Sequence, residues 1–153
     1  MARDLREHQS RLVEEERRRK DEEIQRRLLS AEFARKTGEL EDARTFQLAL
    51  LPKELPQLPG LSVAVHMRTA TEVGGDYYDY IPLDGRALAV AVADVSGKGI
   101  AAGLVMTMTK GSLSTRLGDG EAISSTLAGV NRTIRDSYEG RMFVSMALAR
   151  LSP

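Results

Sequence analysis

Two short segments rich in glycine and aspartate carry the side chains best suited to chemistry in this chain. The first is Gly74-Gly75-Asp76, and the second runs from Asp94 to Gly99. Each lies where a predicted strand meets a tight turn, so folding the intervening hairpin brings Asp76 and Asp94 together. Hard divalent ions such as Mg²⁺ and Mn²⁺ prefer carboxylate and carbonyl oxygens. The two aspartates, with the carbonyl of Val95, therefore predict half of a binuclear metal site.

Other interpretations of these segments remain open. An aspartate beside a glycine often only caps its own turn. Lys98 could contact a substrate phosphate, or it could be a solvated loop lysine. Gly97-Lys98-Gly99 lacks the spacing of a nucleotide-binding P-loop, which disfavours that site without removing it. Ser96 has no histidine near it in the sequence, so a serine-histidine triad is disfavoured.

The elements that must position these residues lie in the second part of the chain. Alternation and turn residues predict strands over 61–68, 77–83, 87–93 and 142–151, and helices over 100–117 and 121–138. The strand over 87–93 is apolar on both faces and must therefore be central in its sheet. Two helices can cover only one face of that sheet. The other face is predicted to be an exposed apolar patch unless a second sheet or another subunit covers it.

The first 50 residues have a different composition, with no proline, one glycine and a dense mixture of charged residues, leucine and alanine. This composition predicts one long helix. A heptad that begins with Leu5 at position a gives an apolar seam that is continuous only from Leu29 onward. We expect this helix to pair with the same helix of a second copy in a parallel homodimeric coiled coil. Because Leu51-Pro52 ends the helical pattern, we divide the chain into a linker, 1–51, and a domain, 52–153.

Composition excludes several classes of function. The chain has 153 residues, with 22 basic and 22 acidic side chains and no cysteine. A net charge of zero predicts neither a nucleic-acid nor an anionic-membrane partner. The lack of cysteine excludes disulfides and thiolate zinc sites. No signal peptide and no apolar run of membrane-spanning length is visible, so we expect a cytoplasmic protein.

Four groups of residues together resemble the SpoIIE/RsbU family of bacterial PPM-type (protein phosphatase 2C-like) serine phosphatases. The match covers residues 43–151, with the groups in the family's order. The first three motifs are specific when they are taken jointly. These groups are the segments 43–52, 72–79 and 93–99, and Asn131 with Phe143-Val144-Ser145.

The resemblance implies an α+β fold, in which the long coiled-coil helix precedes a partial αββα sandwich. It implies a binuclear Mn²⁺ or Mg²⁺ centre, with Asp76, Asp94 and the Val95 carbonyl as ligands and a bridging water oriented for attack on phosphorus. Asp79 would orient metal-bound water from further out. The implied reaction is hydrolysis of phosphoserine or phosphothreonine on an anti-sigma-factor antagonist. The linker would relay a signal from a sensor domain, through the helix that begins at Ile100.

The resemblance also implies that the remaining metal-binding aspartates lie in the second half of the family domain. We therefore expect about half of a typical domain here, ending at Pro153. An alternative from another functional class is a catalytically inactive, dimerising signalling module, in which the coil and the half-domain serve interaction only.

Overall fold

A computed structural model describes residues 2–57, 59–68, 73–84 and 87–152. The fold is α+β, as predicted, with three helices and a three-stranded sheet in these residues. The chain divides into two compact units, residues 1–39 and 40–153. No helix within the described ranges is long and apolar enough to cross a membrane. The elements are α1 (Ala2–Ala49), β1 (Tyr77–Pro82), β2 (Leu88–Val95), α2 (Ile100–Gly118), α3 (Ile123–Tyr138) and β3 (Val144–Leu151).

The first unit consists of the helical residues that precede Leu40. Its charged side chains form exposed pairs one turn apart, such as Glu15 with Arg19 and Glu23 with Arg27. Each such pair contributes only a few tenths of a kcal/mol, about 0.3–0.5. Large apolar side chains, including Leu29 and Phe33, are exposed on the same helix, and Phe33 is 74% exposed. This segment therefore has apolar surface that its own chain does not cover.

The sheet is antiparallel with the order β1-β2-β3, so β2 is central, as its apolar faces predicted. Tyr77 of β1 pairs with Ala93, which pairs with Met146 of β3. Helices α2 and α3 cover the face that carries these residues. The small side chains of Ala91 and Ala93 let α2 approach the sheet closely, and the core forms in this layer.

The opposite face of the sheet is open. Val92 is 58% exposed at its centre, and Tyr78, Tyr80 and Val90 lie on the same face. The predicted exposed apolar face is therefore confirmed. Residues 64–68 lie beside this face and line, with Asp76 and the two tyrosines, a cavity of about 500 Å³.

The predicted strand over 61–68 is wrong. Leu61 makes an isolated bridge, and residues 62–68 belong to no helix or strand. An extended segment becomes a strand only when a neighbouring strand satisfies its backbone groups, and none of the described strands pairs with this segment. The hairpin turn predicted at Asp84-Gly85 includes Gly85, which lies outside the described residues.

Candidate metal centre

The hairpin places Asp76 directly opposite Asp94. The pairing of β1 with β2 aligns Tyr77 with Ala93, and it continues because the backbone N–H of Val95 donates to the Gly75 carbonyl at 3.3 Å. Residues between two such hydrogen-bonded positions form a close pair, with Cα atoms about 4.5 Å apart. Both carboxylates therefore project from the open face of the sheet, at the end where β1 begins and β2 ends. Sequence reasoning predicted this juxtaposition.

Gly75 allows the two strand ends to approach. A Cβ atom at this position would lie 2.8 Å from the Val95 carbonyl oxygen, 2.9 Å from the Val95 Cβ and 3.3 Å from the Ala102 Cβ. Two of these distances are shorter than any van der Waals contact, and one of the atoms belongs to the backbone. Glycine is therefore required where the Gly75 backbone meets the Val95 carbonyl, the oxygen that the sequence predicts as a third ligand.

The loop that follows Asp94 is a tight connection into α2. Gly97 and Gly99 have positive φ angles of 91° and 74°, which glycine adopts without strain. The backbone N–H of Ser96 donates to the Phe143 carbonyl, and the Phe143 N–H donates to the Ser96 hydroxyl. Ser96 thus joins this loop to the start of β3. Lys98 is exposed in the loop and forms no ion pair within the described part of the chain.

Asp79 lies on the other face of the sheet from Asp76 and Asp94. Its side chain is buried beneath α2, where Oδ2 accepts hydrogen bonds from the Tyr77 hydroxyl at 2.7 Å and from Lys110 Nζ at 2.5 Å. The Tyr80 N–H donates to Oδ1 at 2.9 Å. Burial, and then the neighbouring Asp79 carboxylate, raise the pKa of Tyr77, so this phenol stays protonated. The structure thus places Asp79 in contact with α2, and not beside Asp76 and Asp94.

Sequence reasoning missed Gln47, which contacts the loop before Asp76. Gln47 Nε2 donates to the Gly74 carbonyl at 2.6 Å, and the Gly74 N–H donates to Gln47 Oε1 at 3.0 Å. The side chain is 7% exposed and packs against Gly103 of α2. The available signal was a polar residue at heptad position a, directly after the best part of the seam.

The donor set fits a hard divalent cation. Like charges directly opposite each other on paired strands are destabilising by up to about 1 kcal/mol, and the described residues provide neither Asp76 nor Asp94 with an ion-pair partner. A bound cation would remove that repulsion. The described residues contain no group of three or more histidine, cysteine or acidic side chains that could hold a metal, so the predicted ligands among them are two carboxylates and one carbonyl.

Comparison with known proteins extends these observations. The sequence profile of the family described as Stage II sporulation protein E (SpoIIE) matches residues 84–153. Phosphoserine phosphatase RsbU of Bacillus subtilis is 33% identical over 112 residues, which are 73% of this chain and 33% of RsbU. Protein IcfG of Synechocystis sp. is 33% identical over 81 residues, 53% of this chain and 13% of that protein. The chain thus spans about a third or less of the length of each of these relatives.

A crystal structure of the RsbU and RsbW domains of a Mycobacterium tuberculosis protein is also similar. Its TM-score is 0.48 at 29% identity, over 54% of this chain and 23% of that one. The family match covers the Asp94 segment and all elements that follow it. The resemblance to SpoIIE/RsbU-type PPM phosphatases is therefore confirmed over part of the domain, with a family match at residues 84–153.

Proposed function

We propose that this chain supplies the first half of the metal centre of a bacterial protein serine/threonine phosphatase. The observation that carries the proposal is the placement of Asp76 opposite Asp94 on the open face of the sheet, beside the Val95 carbonyl. Relationship to a phosphoserine phosphatase supports the reaction class. We further propose that the substrate is a phosphorylated anti-sigma-factor antagonist and that the enzyme acts in the cytoplasm.

Asp76, Asp94 and the Val95 carbonyl would hold Mn²⁺ or Mg²⁺, with the remaining ligands of a binuclear site supplied from outside the described residues. When bound, the metal supplies Lewis acidity, which lowers the pKa of water and polarises the phosphoryl group. The chain's own contribution is rigidity. Gly75 and the Val95 N–H fix the distance between the two strand ends, and the loop at Gly97 and Gly99 fixes the direction in which α2 leaves the site.

We propose that the long helix relays a signal to this site as a parallel homodimer. Gln47, in the last turn of α1, is hydrogen-bonded to both backbone groups of Gly74, two residues before Asp76. It also packs on Gly103 in the first turn of α2. A rotation or shift of α1 would therefore act on the strand end and on α2 together.

Hydrolysis of a phosphoserine-containing antagonist protein in the presence of Mn²⁺ tests the function. We expect turnover that chelation removes and that Asp94→Asn lowers at least a hundredfold. Asp119→Asn is the matched control, because Asp119 is an exposed aspartate at the far end of α2. Equal activity in both variants would contradict the proposal.

A catalytically inactive, dimerising interaction module is the second candidate. The observation that favours it is the number of acidic ligands, because the described residues present two at the site and no larger cluster. This candidate predicts no hydrolysis by this chain at any Mn²⁺ concentration, together with a stable dimer. Turnover that depends on Asp94 would exclude it.

A further inference from the structure

A buried ion pair joins the sheet to the middle of α2. Asp79 on β1 has a side chain that is 5% exposed, and Lys110 on α2 has one that is 22% exposed. Asp79 Oδ2 accepts hydrogen bonds from Lys110 and from the Tyr77 hydroxyl, and Oδ1 accepts one from the Tyr80 N–H. The Lys110 ammonium also lies 6.0 Å from the centre of the Tyr77 ring. The Asp79 carboxylate therefore accepts hydrogen bonds from three donors, and it lies on the opposite face of the sheet from Asp76 and Asp94.

A second contact between α2 and this part of the chain lies two turns earlier on the helix. The Ala102 Cβ approaches the Gly75 backbone, and Gly103 lies so close to Val73 that a Cβ there would be 2.4 Å from Val73 Cγ1. The Gln47 side chain also packs against Gly103. These contacts bring the helix very close to the chain, and the Asp79–Lys110 pair adds a charged, directional interaction between α2 and β1.

The two contacts have matching spacings. Ala102 and Lys110 are eight residues apart, a rise of about 12 Å along a helix. Gly75 and Asp79 are four residues apart, a rise of about 13 Å along a strand. The helix therefore runs alongside β1 with both contacts in register. A shift by one helical turn, about 5.4 Å, would break the ion pair and remove Ala102 from Gly75.

We infer that the Asp79–Lys110 pair is a positioning contact that sets the register of α2 against β1, and thereby holds Gly75 against Val95 at the strand ends. Buried ion pairs are poor sources of net stability, and fixing one register among several is their best-attested use. The consequence for metal binding rests on the function proposed above. The register itself does not, because Asp79, Lys110, Gly75 and Ala102 define it without a metal.

Hydrogen exchange of the whole chain without added metal tests the inference. The key variant is Asp79→Asn with Lys110→Met, which keeps the shape of both side chains and leaves no uncompensated buried charge. We expect its global unfolding to resemble that of the natural chain, whereas amides in residues 95–106 exchange on the order of tenfold faster through local opening. The single variant Lys110→Arg keeps the charge and is expected to leave exchange in 95–106 within about twofold.

The Arg116–Glu121 pair provides a matched control, because it also involves α2 but lies at the opposite end from Gly75. Arg116→Met is expected to leave residues 95–106 unaffected. Unchanged exchange of 95–106 in the double variant would overturn the inference, as would a uniform increase over all elements, which indicates a merely structural pair. Faster exchange of 95–106 in Lys110→Arg than in Lys110→Met would also overturn it. This comparison uses single variants, so it tests the inference even if the double variant does not fold. Mn²⁺ titration of the same variants then tests the metal centre separately.

Discussion

The substitution Gly75→Ala tests how closely the two strand ends must approach. The new methyl group would lie 2.8 Å from the Val95 carbonyl oxygen and 2.9 Å from its Cβ. Neither contact can be relieved by rotating a flexible side chain, because one atom belongs to the backbone and the other is attached to it. The strand ends must therefore separate, and the hydrogen bond from the Val95 N–H to the Gly75 carbonyl is lost.

The expected cost follows from three terms. Overpacking of a tight site costs about 1–3 kcal/mol, and loss of the hydrogen bond adds about 1 kcal/mol. Alanine also restricts the unfolded chain, which offsets about 0.4–1 kcal/mol. We therefore expect the free energy of unfolding to fall by about 1–3.5 kcal/mol, which corresponds to a decrease in Tm on the order of 10 °C for a domain of this size.

Gly111→Ala is the matched control for this experiment. Gly111 lies in α2, where an added Cβ atom would have nothing within 4 Å of it, and alanine is favoured over glycine in a helix by about 1 kcal/mol. The two glycine-to-alanine changes should therefore shift stability in opposite directions. All four tyrosines lie beyond residue 75, so circular dichroism in the tyrosine absorption band during urea unfolding reports on the second unit alone. A Gly75→Ala variant as stable as the natural chain would refute the reasoning.

Three further predictions concern other contacts. Gln47→Leu removes both hydrogen bonds to Gly74 and should lower the free energy of unfolding by about 1–3 kcal/mol; a urea midpoint equal to that of the natural chain would contradict this. Tyr77→Phe should reduce the loss of folding stability at alkaline pH, because burial and Asp79 raise the pKa of Tyr77 in the folded protein. The contribution of the protonated Tyr77 to the free energy of unfolding is complete below the ordinary tyrosine pKa of about 10 and is lost as the pH rises above it. Parallel profiles of unfolding free energy against pH above pH 10 for the two proteins would refute this prediction. Phe33→Glu places a charge on the exposed apolar surface of α1 and should weaken the proposed homodimer at least tenfold, measured by sedimentation equilibrium; an unchanged dimer would exclude that seam.

The parts of the fold that sequence reasoning predicted correctly depend on local patterns. Asp76 and Asp94 are brought together because a short turn fixes the register of a hairpin, and the apolar run of 87–93 identifies a central strand. The alternation of strand residues carries a further signal. Since successive residues point to opposite faces, positions 76 and 79 must lie on opposite faces, which is where the structure places Asp79.

The parts that it missed depend on contacts between distant segments. The pattern of 61–68 is that of a strand, but a strand needs a partner, and alternation alone does not supply one. Gln47 fits the heptad at position a, yet its amide is buried against Gly74, 27 residues away. Lys110 is the first charged residue of α2; that isolation indicates a specific partner, but only the tertiary structure identifies it as Asp79.

The central claim is that Asp76 and Asp94 form one cation site across the hairpin. It is tested most directly by titrating Mn²⁺ into the whole chain and measuring free Mn²⁺ by electron paramagnetic resonance. We predict saturable binding that Asp76→Asn and Asp94→Asn each weaken at least tenfold and that Asp119→Asn leaves unchanged. Binding that is equal in all four proteins, or no binding by the natural chain, would contradict the account.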